Sequence, residues 1–250
     1  VNTQPALFVH SIAALRVLKS FYPTFVPAYV AGHSLGELTA LVAANTMTFT
    51  DGLRLVRTRG ELMKEAGRLN PGGMAAIMGL DIPTLDRLCM RASTAYQLAT
   101  VANDNSPGQV VVSGHKQALE RVLVLAKEAG ARRALPLPVS IAAHSRLMSS
   151  IQYEWDEAIK QTACSDPTVP VVGNVTAGLL NKADALKEDI SAQMQSRVRW
   201  VDSVRFMMER GVTTFLEVGT GSVLGGLIKR IAPEAVTMSL GNPQDFDALN

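Results

Sequence analysis

The sequence predicts an α/β protein whose core is a mainly parallel sheet, interrupted by a smaller unit of order β-α-β-β-α-β. Three observations carry this expectation. Short apolar runs alternate with helix-period segments towards both ends of the chain. A breaker cluster, Leu69-Asn70-Pro71-Gly72-Gly73, precedes a change of pattern. Beyond it, four strand-like and two helix-like runs follow in the interrupted order.

Pro5 can open a helix in its first turn. Over residues 6–20, Phe8, Ile12, Leu15 and Leu18 fall on one helical face. Ala28 to Ala31 reads as a buried strand and Leu35 to Ala44 as a helix, with Ser34 between them. Thr50 or Asp51 is expected to cap the next helix, which carries Leu53, Val56, Arg59 and Met63 to about Ala66. After the breakers, "MAAIMGL" reads as a strand and Pro83 to Ser93 as a helix. "LATVAND" and "QVVVSG" read as strands joined by "NSPG", Lys116 to Gly130 as a helix, and "RRALPLPVS" as a closing strand. This order is ferredoxin-like, and places a small subdomain at residues 70–137. Residues 1–69 and 138–250 then make the core. There a helix follows His144, "TVPVVGNVTA" reads as a strand, and Ala183 to Gln195 and Val201 to Gly211 as helices. "TFLEVG", "SVLGGLIKRI" and "AVTMSL" close the chain as strand, helix and strand. Alternation of this kind implies a mainly parallel sheet covered on both faces.

Composition narrows the function. Of 250 residues, 47% are hydrophobic and 18% charged, enough for a sizeable core and too apolar for disorder. A net charge of +2 is too mild to argue for nucleic acid. Cys89 and Cys164 lie far apart without a CxxC pattern, so buried thiols in a reducing cytosol are expected, with no zinc site or disulfide. No signal peptide or membrane-spanning run is visible, and a cytoplasmic protein is expected.

The chemistry lies in "VAGHSLGEL", residues 30–38. Gly-x-Ser-x-Gly between a strand and a helix is a nucleophile elbow. The turn is tight, and Gly32 and Gly36 are expected to relieve clashes that side chains would make. Ser34 would then stand at a helix N-terminus, with the Leu35 N–H as an oxyanion-hole donor. Serine needs a base. Of the four histidines, His10 falls within an apolar helix, His115 in a turn expected to be solvated, and His33 beside Ser34 but pointing away from it. His144, at a loop-to-helix junction in "VSIAAHSRLM", is the chosen base. No histidine follows it, so the Ser, acid, late-His order of hydrolases is missing, and a backbone carbonyl could orient the imidazole instead.

"GHSLGE", "RGELM", "NSPGQVVVSG", "AAHSRLM" and "LEVGTGSVLGGLIKR" occur in one order. Together they resemble the malonyl-CoA:acyl carrier protein transacylases, from Thr3 almost to the C-terminus. The resemblance implies an α/β-hydrolase-like core with a ferredoxin-like insert. It implies Ser34 as the nucleophile that becomes a malonyl ester, His144 as its base, and the main-chain carbonyl of Gln193 as the group orienting that base. Arg59 matches the arginine that pairs with the malonyl carboxylate. His33, Met63 and Asn105 complete the expected substrate-binding set, Asn105 lining the cleft between the subdomains. A guanidinium suits the task, since it can make two parallel hydrogen bonds to a carboxylate. An ordinary surface arginine beside Arg54 and Arg57 is the alternative.

The implied function is transfer of malonyl from malonyl-CoA to the phosphopantetheine thiol of acyl carrier protein in fatty-acid synthesis. No metal and no tightly bound cofactor are expected, coenzyme A entering as substrate. Arg132, Arg133, Arg197, Arg199, Lys229 and Arg230 could form a docking rim for an acidic carrier protein. Ala142 and Ala143, just before His144, leave malonyl as the default acyl group. The family's early strand and Gly-Gln-Gly loop have no match, so the sequence is expected to be an incomplete piece of an active enzyme. Alternatives are a related acyltransferase of polyketide synthesis or malonate decarboxylation, a serine hydrolase, or an inactive carrier-protein-binding scaffold.

Overall fold

The computed structural model describes residues 2–247, so the expected core's outermost residues, 1 and 248–250, lie outside the described residues. Helix α1 (Thr3–Phe21) buries Phe8, Ile12, Ala14 and Leu18, the stripe that its helical period dictates. Strand β1 (Val30–Ala31) runs through Gly32-His33-Ser34 into α2 (Leu35–Ala43). Helix α3 (Phe49–Leu69) follows. Its cap is Thr48, not Thr50 or Asp51. Thr48 is extended, so its hydroxyl reaches back to accept the Asp51 N–H at 3.1 Å, whereas Thr50 and Asp51 are already helical.

The next segment forms a unit with its own core. It comprises β2 (Gly72–Met78), α4 (Ile82–Ala92), β3 (Ala99–Ser106), β4 (Gln109–His115), α5 (Lys116–Glu128) and β5 (Arg133–Pro136). The strands pair antiparallel in the order β3-β4-β2-β5. Ile77, Leu85, Val101, Val112 and Val122 are among its buried side chains. Gly72 and Gly73 do not break the chain here. They open β2, pairing with His115 and Gly114.

After His144 the chain makes a 3-10 turn, Arg146–Ile151, before α6 (Gln152–Gln161). Then come β6 (Val171–Val172), β7 (Leu179–Leu180), α7 (Ala183–Gln193), α8 (Trp200–Met208), β8 (Thr214–Val218), α9 (Val223–Ile231), β9 (Val236–Leu240) and α10 (Pro243–Asp247). The expected single parallel sheet is divided. β1 pairs parallel with β6, which also carries antiparallel β7, and β8 pairs parallel with β9 in a separate ladder. Both β1 and β8 are edges, and no strand among the described residues bridges them. Ten expected strand residues at "TVPVVGNVTA" shrink to two. Pro170 offers its carbonyl to the Val30 N–H (2.9 Å) but has no N–H to extend the ladder.

Residues 197 and 198 supply some of the contacts that tie the small unit to the core. Val198 bridges to Asn103 of β3, with its N–H on Ala102 O (2.8 Å) and its carbonyl taking the Asp104 N–H (2.9 Å). Arg197 pairs with Asp86 of α4. Cys89 is buried as expected, but Cys164 is only half-buried, because it lies on the surface loop after α6. Among the described residues no helix is long and apolar enough to cross a membrane.

Candidate active site

The elbow forms because Gly32 has no side chain. A Cβ there would lie 2.0 Å from the Gly36 carbonyl carbon and 2.6 Å from the Glu37 nitrogen, both backbone atoms that cannot yield. Gly36 is not under the same constraint, since a Cβ at that position meets nothing within 4 Å. The expectation that both glycines relieve a clash therefore holds for Gly32 alone, whose Cβ position faces the first turn of α2. Gly32→Ala is expected to lose about 3 kcal/mol or more of folding stability. Gly36→Ala should hold or raise the thermal midpoint, as measured by scanning calorimetry.

Ser34 stands at φ 52°, ψ −105°, a region that L residues rarely occupy. Asn174 secures it there. Its Oδ1 accepts the Ser34 N–H at 2.7 Å and its Nδ2 donates to Gly32 O at 2.7 Å. The Leu35 N–H, next along α2, has no hydrogen-bond partner among the described residues.

The structure brings Ser34 and His144 together, 110 residues apart in sequence, with Oγ to Nε2 at 2.8 Å. His144 Nδ1 lies 2.9 Å from Gln193 O. A carbonyl only accepts, so the ring proton sits on Nδ1 and leaves Nε2 bare to receive the serine proton. His144 is buried, also at positive φ (58°). Burial first, then the Arg59 charge, lower its pKa to about 3. The imidazole therefore stays neutral well below the ordinary histidine value. The rate of Ser34 acylation, followed as kcat/KM, should stay flat from about pH 8 to about pH 5, where an ordinary imidazole would have lost most of its base form. A fall centred near the ordinary value would place the base elsewhere.

Arg59 is 2% exposed, not the surface arginine that its neighbours suggest. Nη2 donates to Ser34 Oγ (2.9 Å) and Gln193 Oε1 (2.8 Å), and Nη1 donates to Gln4 Oε1 (2.8 Å). Its buried Nε–H has no partner among the described residues. No carboxylate among the described residues pairs with it. Burial lowers its pKa to about 10, so it remains a cation. A buried guanidinium with no counter-anion among the described residues, beside a serine hydroxyl, can take an anionic ligand.

The other expected residues divide. The His33 Nε2–H donates to Asn105 Oδ1 at 2.8 Å, across from core to small unit. The ring also stands edge-on to Trp200. Met63, one turn beyond Arg59, packs in the core with its sulfur near Gln4 Nε2 (3.3 Å). His10 meets Thr220 Oγ1. His115 is not freely solvated, because it ends β4 and its Nδ1 accepts the Leu98 N–H at 3.0 Å.

Gln4, Asn174, Glu37 and Asp189 escaped the sequence reading. Gln4 had a signal, a polar residue one turn before Phe8 on the apolar stripe of α1. Asn174 had another, ending an apolar run at a strand's carboxyl edge, where α/β sheets build sites. Among the described residues no group of three His, Cys, Asp or Glu side chains could hold a metal.

This arrangement suits an enzyme that transfers acyl groups, and comparison with known sequences agrees. The family described as "Acyl transferase domain" matches residues 1–239, and the chain belongs to it. Its relatives are more particular. It is 43% identical to the malonyl CoA-acyl carrier protein transacylase of Escherichia coli O157:H7 over 247 residues, 99% of this chain and 79% of that protein. To the transacylase of the same name from Staphylococcus aureus it is 39% identical over 249 residues, 100% of this chain and 80% of that protein. A crystal structure of an acyl carrier protein S-malonyltransferase from Vibrio cholerae superposes with a TM-score of 0.95 at 39% identity, covering 99% of this chain and 80% of that one. A malonyl-transacylase in complex with a type II PKS acyl-carrier protein gives a TM-score of 0.94 at 39% identity, covering 98% and 79%.

Proposed function

We propose that this chain transfers malonyl groups from malonyl-CoA to the thiol of acyl carrier protein, through a malonyl ester of Ser34, in fatty-acid biosynthesis. The observation that carries the reading is the meeting, at one hydroxyl, of a neutral imidazole and a buried guanidinium without a counter-anion. The thioester supplies the carbonyl for Ser34, and the malonyl carboxylate supplies the charge that Arg59 lacks.

In the first half-reaction His144 Nε2 takes the Ser34 proton while Oγ bonds the thioester carbon. The Gln193 carbonyl supports the resulting imidazolium through Nδ1–H. The oxyanion takes the free Leu35 N–H. The carbon–sulfur bond then breaks, and coenzyme A leaves with the proton from His144. In the second half-reaction His144 takes the proton of the carrier thiol, whose sulfur attacks the ester carbon; the carbon–Oγ bond then breaks, and His144 returns the proton to Ser34 Oγ. Arg59 holds the distal carboxylate throughout, fixing the acyl group's approach. Gln4 backs that guanidinium, with Met63 against Gln4, and the His33–Asn105 contact fixes the cleft wall. Coenzyme A passes through as substrate, and no resident cofactor enters the scheme.

The strand order supports naming the small unit, residues 70–137, a ferredoxin-like subdomain. The parallel pairs and the elbow support an α/β-hydrolase-like core over 1–69 and 138–250. A cytoplasmic location suits these substrates. For carrier docking, Arg197 and Arg199 are occupied by Asp86 and Asp202. Arg132, Arg133, Lys229 and Arg230 stay exposed. Charge reversal at Lys229 and Arg230 should slow transfer to carrier protein without slowing hydrolysis of small thioesters, and equal slowing of both would remove the docking role. Incubation with malonyl-CoA followed by intact-mass measurement tests the function itself. A malonyl adduct on Ser34 is expected, and its absence overturns the reading.

A further inference from the structure

Glu37 and Asp189 are buried acids to which the acyl transfer gives no task, 0% and 3% exposed. They converge on one hydrogen. The Asn174 N–H lies 2.9 Å from Glu37 Oε1 and 3.0 Å from Asp189 Oδ2. No basic side chain among the described residues pairs with either acid. Two anions held this close in a buried site are far costlier than one anion and one acid sharing a proton.

The donors show which acid keeps its charge. Asp189 accepts three backbone N–H groups, from Asn174, Val175 (3.1 Å) and Thr176 (2.9 Å). Such bonding stabilises a carboxylate. Among the described residues Glu37 has only the shared Asn174 donor and Gln193 Nε2. The first turn of α2 and the Arg59 charge both favour an anion at Glu37. Neither supplies a contact that offsets Asp189. Burial first, and Asp189 second, push the Glu37 carboxyl well above the usual carboxylate range.

Gln193 is where this proton matters. Its Nε2 donates to Glu37 Oε2 and to Ser34 O (2.9 Å), so its Oε1 must face Arg59. We propose that Glu37 is a positioning residue working as a neutral acid: its O–H bridges to Asp189, and its carbonyl oxygen fixes the Gln193 amide that presents Arg59 to Ser34. A neutral Glu37 leaves the Arg59 charge uncompensated for a malonyl carboxylate, a consequence that rests on the function proposed above.

The amide of Glu37→Gln keeps both bonds of the neutral acid, with N–H towards Asp189 and C=O towards Gln193, while the Asn174 N–H passes to Asp189 Oδ2 alone. Glu37→Leu keeps the bulk and neither bond. With malonyl-CoA and intact-mass readout, Glu37→Gln should acylate Ser34 within about threefold of wild type. Glu37→Leu should fall by about tenfold or more and lose its preference for malonyl-CoA over acetyl-CoA. If Glu37→Gln falls as far as Glu37→Leu, an anion is required and the proposal is overturned. Infrared difference spectra, wild type minus Glu37→Gln with ¹³C-labelled glutamate, need neither Glu37→Leu nor activity. A protonated-carboxyl band unique to wild type is expected, and carboxylate bands alone overturn the proposal. If wild type forms no adduct, the transferase reading fails, while the infrared result still decides where the proton sits.

Discussion

Ser34→Ala is expected to form no malonyl adduct and to lose transfer by about 10⁴-fold or more, since the group that makes and breaks the ester is gone. The fold should survive. The hydroxyl takes one hydrogen bond from Arg59 and gives one to His144. Losing such bonds shifts stability by about 1–3 kcal/mol. Intact-mass analysis and a circular-dichroism melt separate these effects. An adduct persisting in Ser34→Ala would place the nucleophile at another residue and remove the elbow from the chemistry.

Arg59→Ala has the second largest expected effect, and it is selective. Malonyl loading should fall on the order of 10²-fold, because the substrate carboxylate would be buried without its cation. Acetyl loading should hold or rise, because acetyl offers no anion to the guanidinium and leaves it unpaired in a desolvated site. Wild type and variant, each with malonyl-CoA and acetyl-CoA, give the four rates needed. Parallel loss of both would mean that Arg59 serves Ser34 directly, through the Nη2–Oγ contact of 2.9 Å, with no share in choosing the acyl group.

What the sequence made legible depended on how local each signal was. Helix α2 was read as Leu35 to Ala44 and runs Leu35–Ala43, because apolar period and elbow lie within a dozen residues. Helix α1 was equally plain. Strands fared worse. An apolar run such as "TVPVVGNVTA" shows that a segment is buried, but ladder length depends on Pro170 and on a partner strand far away in sequence, Val30 pairing with Val171. Within the site, Ser34 stands in a motif, and His144 could be singled out by discarding three other histidines. Gln193 and Arg59 needed the family resemblance. Asn174, Glu37 and Asp189 could not be found from spacing. Each matters through contacts with residues remote in sequence, and polar residues near turns are common enough to carry no message alone.

The backbone of Ser34, at φ 52°, lies where glycine would rest without strain. Robustness and chemistry therefore pull in opposite directions at this one position. A lineage selected only to survive heat would drift towards glycine at residue 34 and fall silent as a catalyst. A serine held at that angle is a mark of use, written where folding alone would have chosen otherwise.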